Sequence, residues 1–341
     1  MEKYSKWRDG PTGIHPLIPT SAKPTTLVST LIFKVLLGPI LVLVRLPVII
    51  LLVLLLVAID FITKAIPIGF ISRFINRGFT IVLCRLIFLF MGFFKIDEYT
   101  ESLGNRSKDP VGDIRSYALN DVVIVNHSSY VDILYLQYRY SPIFAVPPND
   151  RNPTNIDGKL VPMNLIQALQ NAIYSRVQLS TRSVPTQDLL KKIDSSWMGP
   201  LVILPEGTTS NGQGLLNIAP VFTSSSNIKS IDSVHVVGIN YFTWCYPVSY
   251  PSVGSFILHF LRLISQFSNL IEIKYLCRNK MTPLPTTSNL SLYDDDIHTW
   301  FDTTFKTLAS LVNTRRTKIT SHDKLNFMSY WNGYKVDSTS S

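Results

Sequence analysis

A chain of 341 residues is long enough for one sizeable domain with an appendage and too short for two independent enzymatic domains. Hydrophobic residues make up 46% and charged residues only 16%, against about 25% charged in ordinary soluble domains, which argues against a body wholly free of membrane. The formal net charge of +9 suits nucleic acid or an anionic membrane, but there is no basic stripe with interleaved aromatics, so nucleic acid is excluded as the expected partner.

The first segment, 1–26, carries Pro11, Pro16, Pro19 and Pro24 among polar neighbours and reads as a polar N-terminal arm on the surface. It has no cleavable signal sequence, because the apolar run begins too late and no small-residue site follows it. Between 35 and 59 the only charge is Arg45. As a helix this stretch reaches about 37 Å at ~1.5 Å per residue, enough to enter or cross a bilayer. Pro39 and Pro47 interrupt it, so a kinked or re-entrant hairpin competes with a single span. A second apolar run, 79–94, is broken by Arg85. Segment 27–95 is therefore expected to anchor the chain, with Arg45, Lys64, Arg73, Arg77, Arg85 and Lys95 at lipid headgroups. Lys and Arg stand on both sides of the first run, and both flanks facing the cytosol is the economical reading.

From 96 the pattern changes. Short apolar runs at 122–125, 175–179, 201–204, 234–241 and 270–276 read as strands separated by helical stretches, which predicts an α/β body over 96–335. Segment 255–267 reads as a helix lying either on a membrane surface or in the core. The tail 336–341 is polar and expected to be disordered. Cys84, Cys245 and Cys277 form no paired motif, so neither a disulfide framework nor a zinc site is indicated.

Two segments carry chemistry. Asn126-His127-Ser128-Ser129-Tyr130-Val131-Asp132 follows the apolar strand 122–125, and places a histidine at a strand end where active-site loops of α/β proteins lie. Residues five apart sit about 140° apart on an ideal helix, so His127 and Asp132 meet only if the histidine precedes the first turn and the aspartate reaches back, with Ser128 as the expected cap. The carboxylate then fixes the imidazole tautomer and raises the basicity of the other ring nitrogen. An isolated histidine and aspartate at this spacing are more often a capping or core pair; the second segment changes the balance. Leu201-Val202-Ile203-Leu204-Pro205-Glu206-Gly207-Thr208-Thr209-Ser210-Asn211-Gly212 is an apolar strand running into a turn whose amides and hydroxyls suit a phosphate or glycerol hydroxyls.

Together these segments resemble the glycerolipid acyltransferases of the lysophosphatidate acyltransferase superfamily, whose NHxxxxD and PEGT blocks are met residue for residue and in order. The family's arginine block has its best counterpart in Val177-Gln178-Leu179-Ser180-Thr181-Arg182, with Arg176 as the alternative. Its apolar fourth block resembles Val236-Val237-Gly238-Ile239-Asn240, with glycine in place of the expected proline. The opening 1–9 and the stretch 324–331 are similar to fungal members that acylate lysophosphatidic acid. The resemblance implies a mixed sheet flanked by helices behind a hydrophobic anchor, and an acyl-CoA-dependent esterification of the sn-2 hydroxyl of lysophosphatidic acid. It implies His127 and Asp132 as the catalytic pair, and Asn126, Arg182, Glu206, Gly207 and Thr208 as substrate-binding. Acyl-CoA, a lysophospholipid and the bilayer are the implied partners, with no metal and no cofactor beyond the acyl-CoA co-substrate. The implied location is the endoplasmic reticulum membrane and lipid droplet, with the catalytic face cytosolic. Alternatives are another acceptor, lysophosphatidylcholine or lysophosphatidylinositol, or a non-catalytic lipid-binding or trafficking protein of the same fold.

Overall fold

The computed structural model describes residues 3–22, 35–65, 69–102, 105–110, 121–149, 158–175, 182–196, 200–218, 221–222, 233–276 and 295–333. After a 3-10 turn at Ser5–Trp7 come helices α1 (Gly38–Ala65) and α2 (Gly69–Phe90), then strands β1 (Ile96–Ser102), β2 (Asn105–Pro110) and β3 (Val122–Val125). Helix α3 (Tyr130–Tyr140) leads to β4 (Ile143–Val146) and β5 (Lys159–Met163), followed by α4 (Leu165–Tyr174), β6 (Val184–Pro185), α5 (Thr186–Ser196) and β7 (Leu201–Ile203). The last part holds β8 (Gly214–Leu215), β9 (Val234–Phe242), α6 (Phe256–Ser265), β10 (Leu270–Leu276), α7 (Asp295–Leu311), β11 (Arg315–Arg316) and α8 (Ser321–Trp331).

Nine of these strands form one mixed sheet in the order β2-β1-β10-β9-β3-β7-β4-β5-β6. Its centre, β9-β3-β7-β4, is parallel, which is why these strands read as continuous apolar runs rather than alternating ones. Alternate residues feed two different layers. Val123, Val125, Val202, Leu204, Val237 and Ile239 pack toward α1, α2, α3, α4 and α6. Val122, Ile124, Leu201, Ile203, Val234 and Val236 pack on the other side, against α5 and α7. The chain is thus the expected α/β fold, a mixed sheet flanked by helices.

Helices α1 and α2 pack against each other as a hairpin, and α2 rests on α3. Pro47 lies inside α1 without ending it, and Arg85 does not break α2. Instead the Arg85 guanidinium turns to the end of its own helix and donates to the carbonyls of Phe93 and Phe94. One stripe of α1, including Ile49, Leu52 and Leu56, is buried. The opposite face leaves Leu43, Leu51, Leu54 and Phe61 exposed. Among the described residues, 35–63 is the one helical stretch long and apolar enough to cross a membrane. Arg45, inside it, is buried and donates to the carbonyls of Ile264, Gln266 and Phe267, capping the C-terminal end of α6 where its charge opposes the helix dipole. Helix α6 buries Leu263 and Ile264 and leaves Ile257 and Leu258 exposed.

One expectation needs correction here. The N-terminal segment, expected to be a surface arm, supplies Trp7 and Leu17 to a core cluster with Leu216, Val253, Ile319 and Phe327. Its Tyr4 ring stacks on Trp331 at 5.2 Å, and Trp7 meets Phe327 edge-on at 5.3 Å, so the two ends of the chain are joined through α8. Prolines and polar residues dominate the segment's composition, yet the few apolar side chains between them are the ones that pack. Of the expected strand at 175–179 only Ser175 is among the described residues, where it ends α4 in a left-handed conformation, φ 45°.

Candidate active site

Strand β3 lies between β9 and β7 and runs parallel to both, so the chain leaving its carboxyl end enters the crevice beside the loop that leaves β7. Asn126 fixes that exit. Its amide nitrogen donates to the carbonyl of Ile239 at 3.0 Å, and its amide oxygen accepts from the Ile239 N–H at 2.7 Å. A side chain thereby continues the β3–β9 ladder for one more step, and the next residue is His127.

Helix α3 begins just beyond. Its N-cap is Ser129, not Ser128 as the sequence suggests, and Asp132 closes a capping box at the third helical position. Asp132 therefore points back toward the helix start, the only direction in which it can meet a residue five positions earlier. Its Oδ2 accepts from the N–H of Ser128 at 2.7 Å and of Ser129 at 2.8 Å, and lies 3.0 Å from His127 Nδ1. The Tyr241 hydroxyl donates to Oδ1. A carboxylate collecting donors on both oxygens has no proton to offer, so Nδ1 carries the proton and Nε2 is left with its lone pair. Nε2 is buried and has no hydrogen-bond partner among the described residues.

The loop after β7 grips the backbone of His127 on both sides. Glu206 Oε1 accepts from the His127 N–H at 2.8 Å, and the Ser210 N–H donates to the His127 carbonyl at 3.0 Å. The other Glu206 oxygen accepts from the Leu216 N–H at 2.9 Å. Burial pushes the Glu206 carboxyl up to about 8, against the pull of the two amides and of the Lys324 charge. Gly207 (φ 70°) supplies the left-handed turn between these grips, and a Cβ there would meet Pro147 Cγ at 3.3 Å. Thr208 is buried, its hydroxyl 2.8 Å from that of Ser175 and accepting from Lys324 Nζ at 2.9 Å. The N-terminal segment closes the far end of the loop: the Asn211 side chain donates to the carbonyls of His15 and Ile18.

The structure thus brings His127, Asp132, Asn126, Glu206, Gly207 and Thr208 into one place. The side chains of Asn126, Glu206 and Thr208, expected to meet substrate, are spent on the protein's own backbone and hydroxyls. A groove of about 620 Å³ runs past Asn126, Ser128, Ser210 and Gly212 toward Tyr241 and Lys274. Arg182 stands apart from this group. It is exposed, two residues before β6, and β6 lies four places along the sheet from β3, roughly 19 Å at ~4.8 Å per strand. Arg176 lies outside the described residues, although Ser175 before it is bonded to Thr208. Gly238 has a packing reason to replace proline: a Cβ there would stand 2.8 Å from Val312 Cγ1, and its place in the β9–β10 ladder needs an N–H.

Sequence reasoning missed Tyr241, Lys324 and the His15–Ile18 strap. Each reaches the site from more than a hundred residues away, where local spacing carries no signal.

No family model matches the chain. Over 272 residues it is 30% identical to a Schizosaccharomyces pombe protein that carries the provisional name lysophosphatidic acid:oleoyl-CoA acyltransferase, a match spanning 78% of this chain and 81% of that protein. Over 156 residues it is 27% identical to a lysophospholipid acyltransferase of Arabidopsis thaliana, spanning 46% of this chain and 26% of that one. Among solved structures, a 1-acyl-sn-glycerophosphate acyltransferase from Thermotoga maritima aligns with a TM-score of 0.44 at 11% identity, over 80% of this chain and 97% of that chain.

Proposed function

The chain belongs to the glycerolipid acyltransferase superfamily, and on that premise we propose that it esterifies the free sn-2 hydroxyl of lysophosphatidic acid with an acyl group from acyl-CoA. The observation that carries the reading is the His127–Asp132 pair, with Nδ1 held at 3.0 Å from the carboxylate and the Nε2 lone pair unspent. In this mechanism Nε2 takes the proton of the glycerol hydroxyl as its oxygen attacks the thioester carbonyl. Asp132 holds Nδ1–H and steadies the imidazolium as it forms. The C–S bond breaks, and coenzyme A leaves as a thiolate that takes the proton back from Nε2. The protein needs no nucleophile of its own, because the acceptor hydroxyl performs the attack.

Glu206 and Ser210 act in this scheme by holding the histidine backbone, not by touching substrate. The exposed apolar face of α1 embeds the protein in the cytosolic face of the endoplasmic reticulum membrane or the lipid-droplet surface, beside the pool from which both substrates partition. For the acceptor's phosphate, Arg182 and Arg176 compete as planar, always-charged partners.

The test is coenzyme A release with oleoyl-CoA and a panel of lysophosphatidic acid, lysophosphatidylcholine and lysophosphatidylinositol, repeated with Arg182→Ala and Arg176→Ala. Fastest turnover on lysophosphatidic acid is expected, with its KM raised at least about tenfold by loss of the arginine that pairs the phosphate. Faster turnover on lysophosphatidylcholine would overturn the acceptor assignment while leaving the chemistry in place.

A further inference from the structure

Lys324 is completely buried on α8, near the far end of the chain from His127. Its ammonium has three N–H groups to share among four oxygens within hydrogen-bond distance: Thr208 Oγ1 at 2.9 Å, Thr209 O at 2.6 Å, Thr209 Oγ1 at 2.9 Å and Ser252 Oγ at 3.2 Å. The hydroxyls around it are bonded to one another: Ser175 to Thr208 and Ser252, and Thr209 to Ser252. All four of these oxygens are neutral; burial pushes the Lys324 pKa well below its usual value, and the charge of Glu206, outside direct ion-pair contact, opposes that push.

A buried ammonium among neutral acceptors is a costly way to fill space, since desolvating the charge opposes folding and an apolar side chain of the same length would fill it more cheaply. Stability alone therefore gives a poor account of this lysine. Its placement gives a better one. Three of its four acceptors belong to Thr208 and Thr209, the middle of the loop whose outer residues, Glu206 and Ser210, grip the His127 N–H and carbonyl. Pinning the middle of that loop fixes the separation of the two grips.

We propose that Lys324 is a positioning residue for the acyl transfer: its ammonium holds Thr208 and Thr209 so that Glu206 and Ser210 keep the His127 imidazole in register with Asp132. The proposal rests on the acyltransferase reading of His127. It also gives the C-terminal helix a part in a reaction whose two sequence blocks end more than a hundred residues earlier.

The test uses the full chain in detergent with Lys324→Met, which keeps the length of the side chain and removes its charge and donors. Two quantities are read: kcat and KM for oleoyl-CoA and lysophosphatidic acid, and the low-field proton resonance of His127 Nδ1–H, identified by its loss in His127→Ala. The expected result is a kcat lowered by about tenfold to a hundredfold, the scale of a small misplacement of a reacting group, with both KM values within about twofold of wild type. The Nδ1–H resonance shifts or broadens in the same protein. Wild-type kcat with an unmoved resonance overturns the proposal. If Lys324→Met does not fold, Thr209→Val removes one acceptor and leaves the ammonium three others; unchanged kcat and resonance in that protein likewise overturn it. An inactive wild type would sink the acyltransferase reading, and the resonance would still decide the role of Lys324.

Discussion

Four donors converge on one carboxylate: two backbone amides, the Tyr241 hydroxyl and His127 Nδ1 all end on Asp132. A single residue thus caps a helix and orients an imidazole, and the helix start and the site cannot be varied independently. Glu206 has a comparable double duty, one oxygen on His127 and the other on Leu216. Burial raises its carboxyl from 4.5 to about 8, so the folded state binds that proton more tightly than the unfolded chain does. The stability linked to this proton is fully present below about pH 4.5 and is lost as pH rises toward about 8. The melting temperature of wild type relative to Glu206→Gln is therefore expected to decline from pH 5 to pH 8.5, the contributions of other groups being common to both proteins. The amide has one acceptor for two donors, so the variant should also be less stable at low pH by about 1–3 kcal/mol, the cost of a buried unpaired N–H. Parallel curves for the two proteins would contradict the assignment.

At the scale of elements, the parallel arrangement of β3 and β7 does most to make the site. It delivers two loops, far apart in sequence, to the same end of the sheet, and every other contact refines that meeting. The helical hairpin is the second decisive element, because α1 hides one stripe against the body and leaves the other face apolar and exposed. Placing Asp at both Leu43 and Leu54 tests the bilayer contact of that face. Each charge carries an insertion cost of about 2.5–3.5 kcal/mol at the centre of a membrane helix. Partition into phospholipid vesicles should fall by at least about tenfold, since about 1.4 kcal/mol already suffices for that factor. Retained partition would mean that the face meets protein instead. These elements were largely legible in the sequence: β10 has the expected bounds, β9 runs one residue further, and α6 falls within its expected stretch. Strand β1 was not legible, because Asp97, Glu98 and Glu101 break its apolar pattern. Its parallel pairing with β10 lets Lys274 meet Glu101 at 3.1 Å, a tertiary partner that no local pattern reveals.

Across the whole molecule, the ends of the chain converge on its middle. The strap at His15–Ile18 holds Asn211, Lys324 holds Thr208 and Thr209, and Tyr4 and Trp7 join strap to helix through Phe327 and Trp331. The His127–Asp132 pair was legible because both partners lie within one short segment after an apolar strand and the 201–212 segment stood beside it; the spacing alone is more often a capping or core pair. The supports were not, because proline-rich composition hid the strap and a lone lysine in a polar helix carries no pattern. On the proposed function the His127–Asp132 pair performs acyl transfer. The most direct test is coenzyme A release from oleoyl-CoA and lysophosphatidic acid by wild type, His127→Ala and Asp132→Asn under one set of conditions. Release by wild type is expected, with a loss of at least about a hundredfold in each variant; His127→Ala still folds but with a lowered melting temperature, since it loses the buried Nδ1–H bond to Asp132 and leaves a cavity while Asp132 keeps its other donors. Wild-type rates in either variant, or no release by wild type with any lysolipid, would contradict the proposed function.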